Sequence, residues 1–316
     1  LSDTFVRQAT LADTYAITDI HCSNVPEGVF TRRNFDGTRT PVPYEELSLY
    51  ERYMNGGPWM SVETCAVWLA HMLRYGDEMP LVAEADGMVL AEAEVTIGNE
   101  PAPYGRHLNI VTFNVHAESH GQGLGTALLD YIKHMARVMK VHQVLVARPQ
   151  SLSFWKKHDF KPLVARREAL VPTREGRVFY KAVQLGNFDH QQIDGWAMPA
   201  GRFQSARHEW INIWPGFWNC VPELAEPEIA RFDVSLAGQH GILILQQDRF
   251  NPERANTYLW TERPLTQHMI SAVRDRAARD GYQELSLFVD DQALAFVEAD
   301  ATEVQNAQML YSWRVS

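Results

Sequence analysis

Cysteine is scarce in this sequence. The 316 residues hold three, Cys22, Cys65 and Cys220, far apart and without a Cys-x-x-Cys pair. An odd, dispersed set argues against a disulfide framework and a zinc site, and it predicts reduced thiols in a cytoplasmic protein. Long apolar runs are missing too. Runs such as Ile242 to Leu245 fall far short of the ~20 residues that span a bilayer, and no charged-then-apolar leader is visible, so no membrane partner is expected. Basic charge is in deficit. Lys plus Arg total 29 against 39 Asp plus Glu, a formal charge of −10 that repels phosphate backbones and argues against nucleic acid as a partner. What remains is ordinary for a globular chain, 46% hydrophobic and 22% charged, with a length that suits two domains.

Periodicity organises the first 185 residues. A short strand at Phe5–Arg7 is followed by a helix-start signal at Thr10 to Asp13 and helical spacing to about Ser23. Residues 25–45, rich in Pro, Gly and Arg, read as a long loop. Helices are predicted at Tyr44–Met54 and, after the break at Asn55-Gly56-Gly57-Pro58, from Ser61 to about Tyr75. Leu81–Ala85 and Met88–Ile97 read as a hairpin around Asp86-Gly87, and His107–Val115 as a further strand. Leu128, Leu129, Ile132, Met135, Ala136 and Met139 mark one helix face. A buried strand (Val144–Ala147), a short helix (Leu152–His158) and strands near Leu163–Val171 and Val178–Leu185 complete this half.

Residues 186–201 have the composition of a linker. Beyond it the same order recurs: a hairpin of Arg231–Ala237 and Ile242–Gln246, a strand at Thr257–Thr261, a helix with Met269, Ile270, Val273 and Ala277 on one face, a strand at Leu285–Val289, and Gln308–Val315 as a last strand. One constant offset places the first helix and strand on the second pair, which suggests internal duplication. The expected organisation is a first domain over 1–185, a linker over 186–201 and a second domain over 202–316.

The segment that carries chemistry is Asn109–Gly125, NIVTFNVHAESHGQGLG. An apolar strand runs into a polar turn, then alternating glycines, then a helix. Gly121, Gly123 and Gly125 leave backbone N–H groups uncovered where the helix begins, a site suited to a pyrophosphate. No Lys-Ser/Thr follows, which excludes a Walker loop, and the spacing G-x-G-x-G is not that of a dinucleotide fingerprint. The strand–loop–helix resembles motif A of the GNAT superfamily of acetyl-CoA-dependent N-acetyltransferases, whose loop usually reads Arg/Gln-x-x-Gly-x-Gly/Ala. Here it reads His120-Gly121-Gln122-Gly123-Leu124-Gly125. Residues 5–19 resemble the family's first strand and helix. Residues 145–160 (LVARPQSLSFWKKHDF) resemble its fifth strand and motif B. The resemblance covers about residues 4–185 and implies an α/β (α+β) fold, a mixed, mostly antiparallel central sheet flanked by helices.

It also implies a site. The backbone at Phe113, Asn114 and Val115 would hold the pantetheine arm of acetyl-CoA, and the N–H groups of Gly121, Gln122, Gly123, Leu124, Gly125 and Thr126 its pyrophosphate. His120 would bind a phosphate or sit in solvent, and Lys156 and Lys157 would reach the adenosine phosphate or be ordinary surface residues. The family's usual Glu base falls at Asn109, which cannot take a proton. His107 on the same strand face, or Glu92 and Glu94 on the neighbouring strand, would serve instead, against the alternatives of a surface histidine and solvated carboxylates. The usual acidic Tyr of motif B falls at Trp155, expected on the pantetheine or in the core, with Tyr104 and Tyr180 as substitutes. No metal is expected.

The second half lacks the glycine loop. Its strand passes through Glu262-Arg263-Pro264 straight into the helix, and Pro264 at the helix start supplies no N–H, so one cofactor site per chain is expected, with a degenerate GNAT-like second domain that walls the acceptor cleft or makes a homodimer contact. Residues 25–60 would lie over the acceptor site. Trp210–Trp218 (WINIWPGFW) reads as core or interface. The activity implied is transfer of acetyl from acetyl-CoA to a primary amine, on a small molecule or a peptide, by direct attack in a ternary complex. The alternative is a CoA- or acyl-CoA-binding sensor or partner module with little catalysis.

Overall fold

The computed structural model describes residues 4–34, 37–74, 77–176, 178–186, 193–225 and 227–315. From the N-terminus run β1 (Phe5–Gln8), α1 (Thr14–Ser23), β2 (Thr31–Arg33), β3 (Arg39–Pro41), α2 (Leu49–Tyr53), α3 (Val62–Arg74), β4 (Glu78–Ala85), β5 (Met88–Glu100), β6 (Gly105–Val115), α4 (Leu124–Val138), β7 (Gln143–Ala147), α5 (Leu152–Lys157) and β8 (Lys161–Pro172). Then follow β9 (Lys181–Gln184), β10 (Ala197–Ala200), α6 (Ala206–Ile213), β11 (Ile229–Leu236), β12 (Gln239–Gln247), β13 (Arg254–Thr261), α7 (Gln267–Arg279), β14 (Glu284–Asp290), α8 (Asp291–Leu294), β15 (Glu303–Val304) and β16 (Gln308–Arg314). No helix among the described residues is long and apolar enough to cross a membrane.

The chain divides into two units that interleave in sequence. One comprises Leu1–Thr96, Ile110–Val141 and Cys220–Ala225, the other Ile97–Asn109, His142–Asn219 and Glu226–Ser316. This differs from the expected sequential division at 185 and 202. Strands β5 and β6 are each split between the units, and β7, β8 and the end of the chain belong together. Residues 187–192 of the expected linker lie outside the described residues, and its last part is strand β10.

In the first unit the strands run β1-β4-β5-β6, with β1 antiparallel to β4 and β4 to β5. The hairpin turn uses Asp86 and Gly87, both at positive φ, as the dipeptide demands. Helix α1 buries Ile17 and Ile20, α3 buries Cys65, Trp68, Leu69 and Met72, and α4 buries Leu124, Leu128, Leu129, Ile132 and Ala136, so each apolar stripe meets a core. The helix expected at Tyr44–Met54 is shorter. Ser48 caps a new start by accepting from the Glu51 N–H, while Glu51 accepts from the Ser48 N–H, and the chain is α-helical only over Leu49–Tyr53.

In the second unit the order is β6-β7-β16-β8-β14-β10-β13-β12-β11-β9, almost wholly antiparallel. The last strand, β16, lies between β7 and β8 and pairs antiparallel with both. Strands β13 and β14 run parallel only over Arg254–Thr257 and Glu284–Leu287. Beyond that register they part, and β10 enters: Ala200 pairs with Leu259 on one side and Val289 on the other. The end of the wedge, Ala200-Gly201, is small for a physical reason. A Cβ on Gly201 (φ +84) would stand 2.6 Å from Tyr258 Cδ1 and 2.8 Å from the Thr257 carbonyl oxygen. Trp210 and Trp214 are buried and stacked at 4.4 Å, with Trp210 edge-on to Trp260 at 5.2 Å, so the tryptophan-rich segment is core of this unit.

Candidate functional site

Strand β6 leads into the glycine loop in the first unit. The Val115 carbonyl ends the strand and accepts from Asn24 Nδ2 at 2.8 Å and His120 Nε2 at 2.9 Å. His120 is therefore neither aimed at a ligand nor idle in solvent; its ring ties the loop back to the strand. The Ala117 N–H donates to Ser23 Oγ at 3.0 Å, and Gln122 Nε2 to the Glu118 carbonyl at 3.2 Å, so the turn is held before the glycines begin. Gly121 (φ +78) and Gly123 (φ +93) then adopt left-handed conformations, and a Cβ at either would meet nothing within 4 Å. Gly123 is the N-cap of α4 and supplies no side-chain acceptor. The first helical N–H groups, at Leu124, Gly125 and Thr126, thus start a 15-residue helix with no side-chain cap and open space before it. Leu124 anchors that start in the core. An open, uncapped helix N-terminus fits a phosphate group. At the strand end, Asn114 Nδ2 donates to Thr112 Oγ1 at 2.8 Å and Phe113 is half-buried, and the Val115 carbonyl is already doubly engaged.

Also in the first unit, Glu92 and Glu94 point to one face of β5 and are 1% and 3% exposed, which removes the reading as solvated hairpin carboxylates. Glu94 Oε1 accepts from the indole N–H of Trp59 at 2.6 Å and of Trp68 at 2.8 Å. Among the described residues neither oxygen of Glu92 has a hydrogen-bond partner, and His21 Nε2 stands 3.4 Å from Glu92 Oε2. The His21 ring stacks on Trp59 at 4.8 Å, and Trp59 meets Trp68 edge-on at 6.2 Å. Burial pushes both carboxyls well above the usual carboxylate range, Glu94 further by the proximity of Glu92, and it pushes His21 down to about 3. Burial therefore favours the neutral form of both carboxyls and of the imidazole. A cation brought next to Glu92 would reverse that, because it alone would offset the burial of the carboxylate.

The other expected residues fall in the second unit. His107 is fully buried rather than at a strand surface: Nδ1 lies 2.8 Å from the Gly105 carbonyl and Nε2 3.6 Å from Glu100 Oε1, and burial lowers its pKa. Asn109 is also fully buried, donating to Gln204 Oε1 at 3.3 Å, with its own carbonyl oxygen unpartnered. Trp155 is 3% exposed and packs edge-on against Phe160 at 4.9 Å, a core contact. The two substitute tyrosines are both committed. Tyr104 OH accepts from Arg166 Nη2 at 2.9 Å, and Tyr180 OH donates to Asp275 at 2.7 Å, which with burial pushes its phenol up to about 12. Lys156 and Lys157 are exposed on α5.

Sequence reasoning missed His21 and Trp68, while Trp59 lies in the 25–60 segment expected over the acceptor site. A signal existed: two glutamates inside an otherwise apolar strand pattern, Val89-Leu90-Ala91 and Val95, need buried partners, and a histidine plus tryptophans on preceding amphipathic segments supply them.

Residues 44–160 match the acetyltransferase (GNAT) family model. No curated protein matches the chain. Among solved structures, a GCN5-related N-acetyltransferase from Kribbella flavida matches with a TM-score of 0.61 at 10% identity, over 98% of this chain and 71% of that one. A probable N-acyltransferase from Enterococcus faecalis matches at 0.58 and 11% identity, over 100% and 73%. A tandem GNAT protein from the clavulanic acid biosynthesis pathway matches at 0.50 and 10% identity, over 99% of both chains. Residues 44–160 are thus similar to the GNAT family, and the chain has the fold of these GNAT structures.

Proposed function

We propose that the protein is an N-acetyltransferase that moves the acetyl group of acetyl-CoA to a primary amine by direct attack in a ternary complex. The observation that carries this is the uncapped start of α4 behind Gly121 and Gly123, within the segment that matches the acetyltransferase family. Its N–H groups at 121–126 suit the pyrophosphate of acetyl-CoA, whose thioester supplies the activated acetyl group.

The acceptor arrives as an ammonium ion. Glu92, unpartnered and beside His21, suits its charge, and the Trp59 and His21 rings offer faces to a cation. Once ionised beside the ammonium, the Glu92 carboxylate takes one proton and leaves a neutral amine. Its nitrogen attacks the acetyl carbonyl carbon, the C–S bond breaks, and the second amine proton passes through water to the leaving thiolate. One such site per chain is supported, because the corresponding helix start in the second half is capped and its strand cleft is filled by β10.

Thiol release from acetyl-CoA with a panel of primary amines tests the reading. Turnover with at least one amine is expected, with kcat/KM lowered about 100- to 10,000-fold in Glu92→Gln. One observation favours a second reading. The position of the usual acidic tyrosine holds Trp155, buried in the core, as befits a CoA-binding module. Saturable acetyl-CoA binding without thiol release for any amine would establish that module and sink the transferase.

A further inference from the structure

The second unit contains a group of buried guanidinium groups that acetyl transfer does not use. Arg202 is fully buried. It forks onto Glu100, with Nε to Oε2 at 2.9 Å and Nη2 to Oε1 at 3.0 Å, and its Cζ lies 3.8 Å above the Tyr104 ring. Its remaining nitrogen, Nη1, is buried with no hydrogen-bond partner. Arg166, 3% exposed, donates from Nη1 to the Arg202 carbonyl at 2.9 Å and from Nη2 to Tyr104 OH at 2.9 Å, and its Nε is likewise buried and unpartnered. Arg148 follows β7 with a left-handed backbone (φ 46). Among the described residues it makes no hydrogen bond or ion pair, and its guanidinium packs 5.0 Å from the Phe203 ring centroid and 5.6 Å from that of Phe288.

These three arginines, Phe203, Phe288 and Gln308 line one narrow cleft. Its enclosed space is no more than that of a single water molecule, so an entering polar head has to widen it. The charge around it is uneven. Glu100 is consumed by Arg202. Glu168 and Glu209 act on Arg148 from a distance and form no ion pair with it; Glu168 accepts from Ser286 Oγ at 2.6 Å, and Glu209 from the Gln204 N–H at 2.8 Å with burial raising its pKa toward the neutral form. Buried donors without acceptors cost free energy, and a group that accepts from planar N–H forks removes that cost. Carboxylate geometry matches a guanidinium fork. Beside it, Phe203 and Phe288 stack face to face at 4.3 Å, with Phe203 36% exposed, an apolar wall leading outward.

We propose that this cleft binds a small organic acid, its carboxylate head against Arg148, Arg166 and Arg202 and its apolar body along Phe203. The site is separate from the glycine loop and from Glu92, and its occupancy does not depend on the transferase reading.

Titration calorimetry of the full chain with sodium benzoate, at ionic strength held constant with sodium chloride, tests it, with acetate and inorganic phosphate as comparison probes. One equivalent of benzoate is expected to bind saturably, more tightly than acetate, and chloride is expected to have no effect. Arg148→Gln should weaken benzoate at least tenfold, and Arg148→Lys, which keeps the charge and loses the fork, by an intermediate factor. Both variants should melt within a few degrees of the parent, since Arg148 makes no hydrogen bond. Unsaturable benzoate heat, an equal response to chloride, tighter binding of phosphate, or unchanged benzoate affinity in both variants would each overturn the proposal.

Discussion

Helices α4 and α7 follow comparable strands and begin in opposite ways. At α4 the N-cap is Gly123, left-handed and without a side-chain acceptor; at α7 it is Thr266, which accepts from the Met269 N–H. The expected obstacle at Pro264 is not at the helix start, which lies at Gln267, and Pro264 instead gives its carbonyl to Gln239. One helix start thus stays without a side-chain cap, and the other is capped internally. In the second half β13 and β14 part and β10 enters between them. A helix start and a gap between strands can both be closed by the chain's own segments.

The change expected to break this contrast most sharply is Gly123→Val. It places a branched side chain in the open space before α4 at φ +93. Acetyl-CoA affinity should fall at least ~100-fold by calorimetry, with a stability loss of only about 1–2 kcal/mol for the left-handed backbone. The mirror change, Gly201→Ala, pushes a Cβ into Tyr258 and the Thr257 carbonyl. It should cost about 2–4 kcal/mol in denaturant melts and leave acetyl-CoA affinity unchanged. Equal effects of the two changes on affinity would end the assignment of a single site.

Glu92→Gln sharpens the contrast by pH. The folded-state pKa of Glu92 and Glu94 is raised by burial, so above the unfolded carboxyl value, near ~4.3, the unfolded chain has shed protons that the folded chain still holds. Stability therefore falls as pH rises through that window. His21, lowered to about 3, acts in the opposite sense: its contribution is lost as pH falls from ~6.5 toward that value. Replacing Glu92 by neutral Gln removes one of the raised groups. The variant should gain on the parent above about pH 5, by on the order of 1–3 kcal/mol at pH 8, and the gain should vanish near pH 4. Parallel melting curves from pH 4 to 9 would show that Glu92 is not held protonated in the fold.

Much of this was legible from local pattern. The hairpin at Asp86-Gly87, the glycine loop, α4 with its apolar stripe and the matching α7 and β14 all follow from spacing, because each is decided by neighbours within a few residues. The interleaved units, β16 between β7 and β8, and β10 between β13 and β14 depend on pairings between segments distant in sequence, which periodicity does not encode. The composition of 186–201 even pointed away from strand, since a wedge strand must be small and glycine-bounded and so resembles a linker. At the site, Glu92 and Glu94 were singled out, but their burial was not foreseen, because alternation on β5 gives a polar face whether water or helices cover it. His107 failed in the converse way: its strand face is buried at both His107 and Asn109.

The smallest expected effect separates cap from plug. Thr266→Ala removes the acceptor that satisfies the Met269 N–H and should cost about 1 kcal/mol, while Thr266→Gly should cost a few tenths. Neither should create a second acetyl-CoA site, because β10 still fills the space between β13 and β14. Calorimetry on Thr266→Gly should therefore still read one equivalent per chain. Two equivalents would mean that the threonine cap alone silenced the second half, and that β10 yields when a ligand competes for its place.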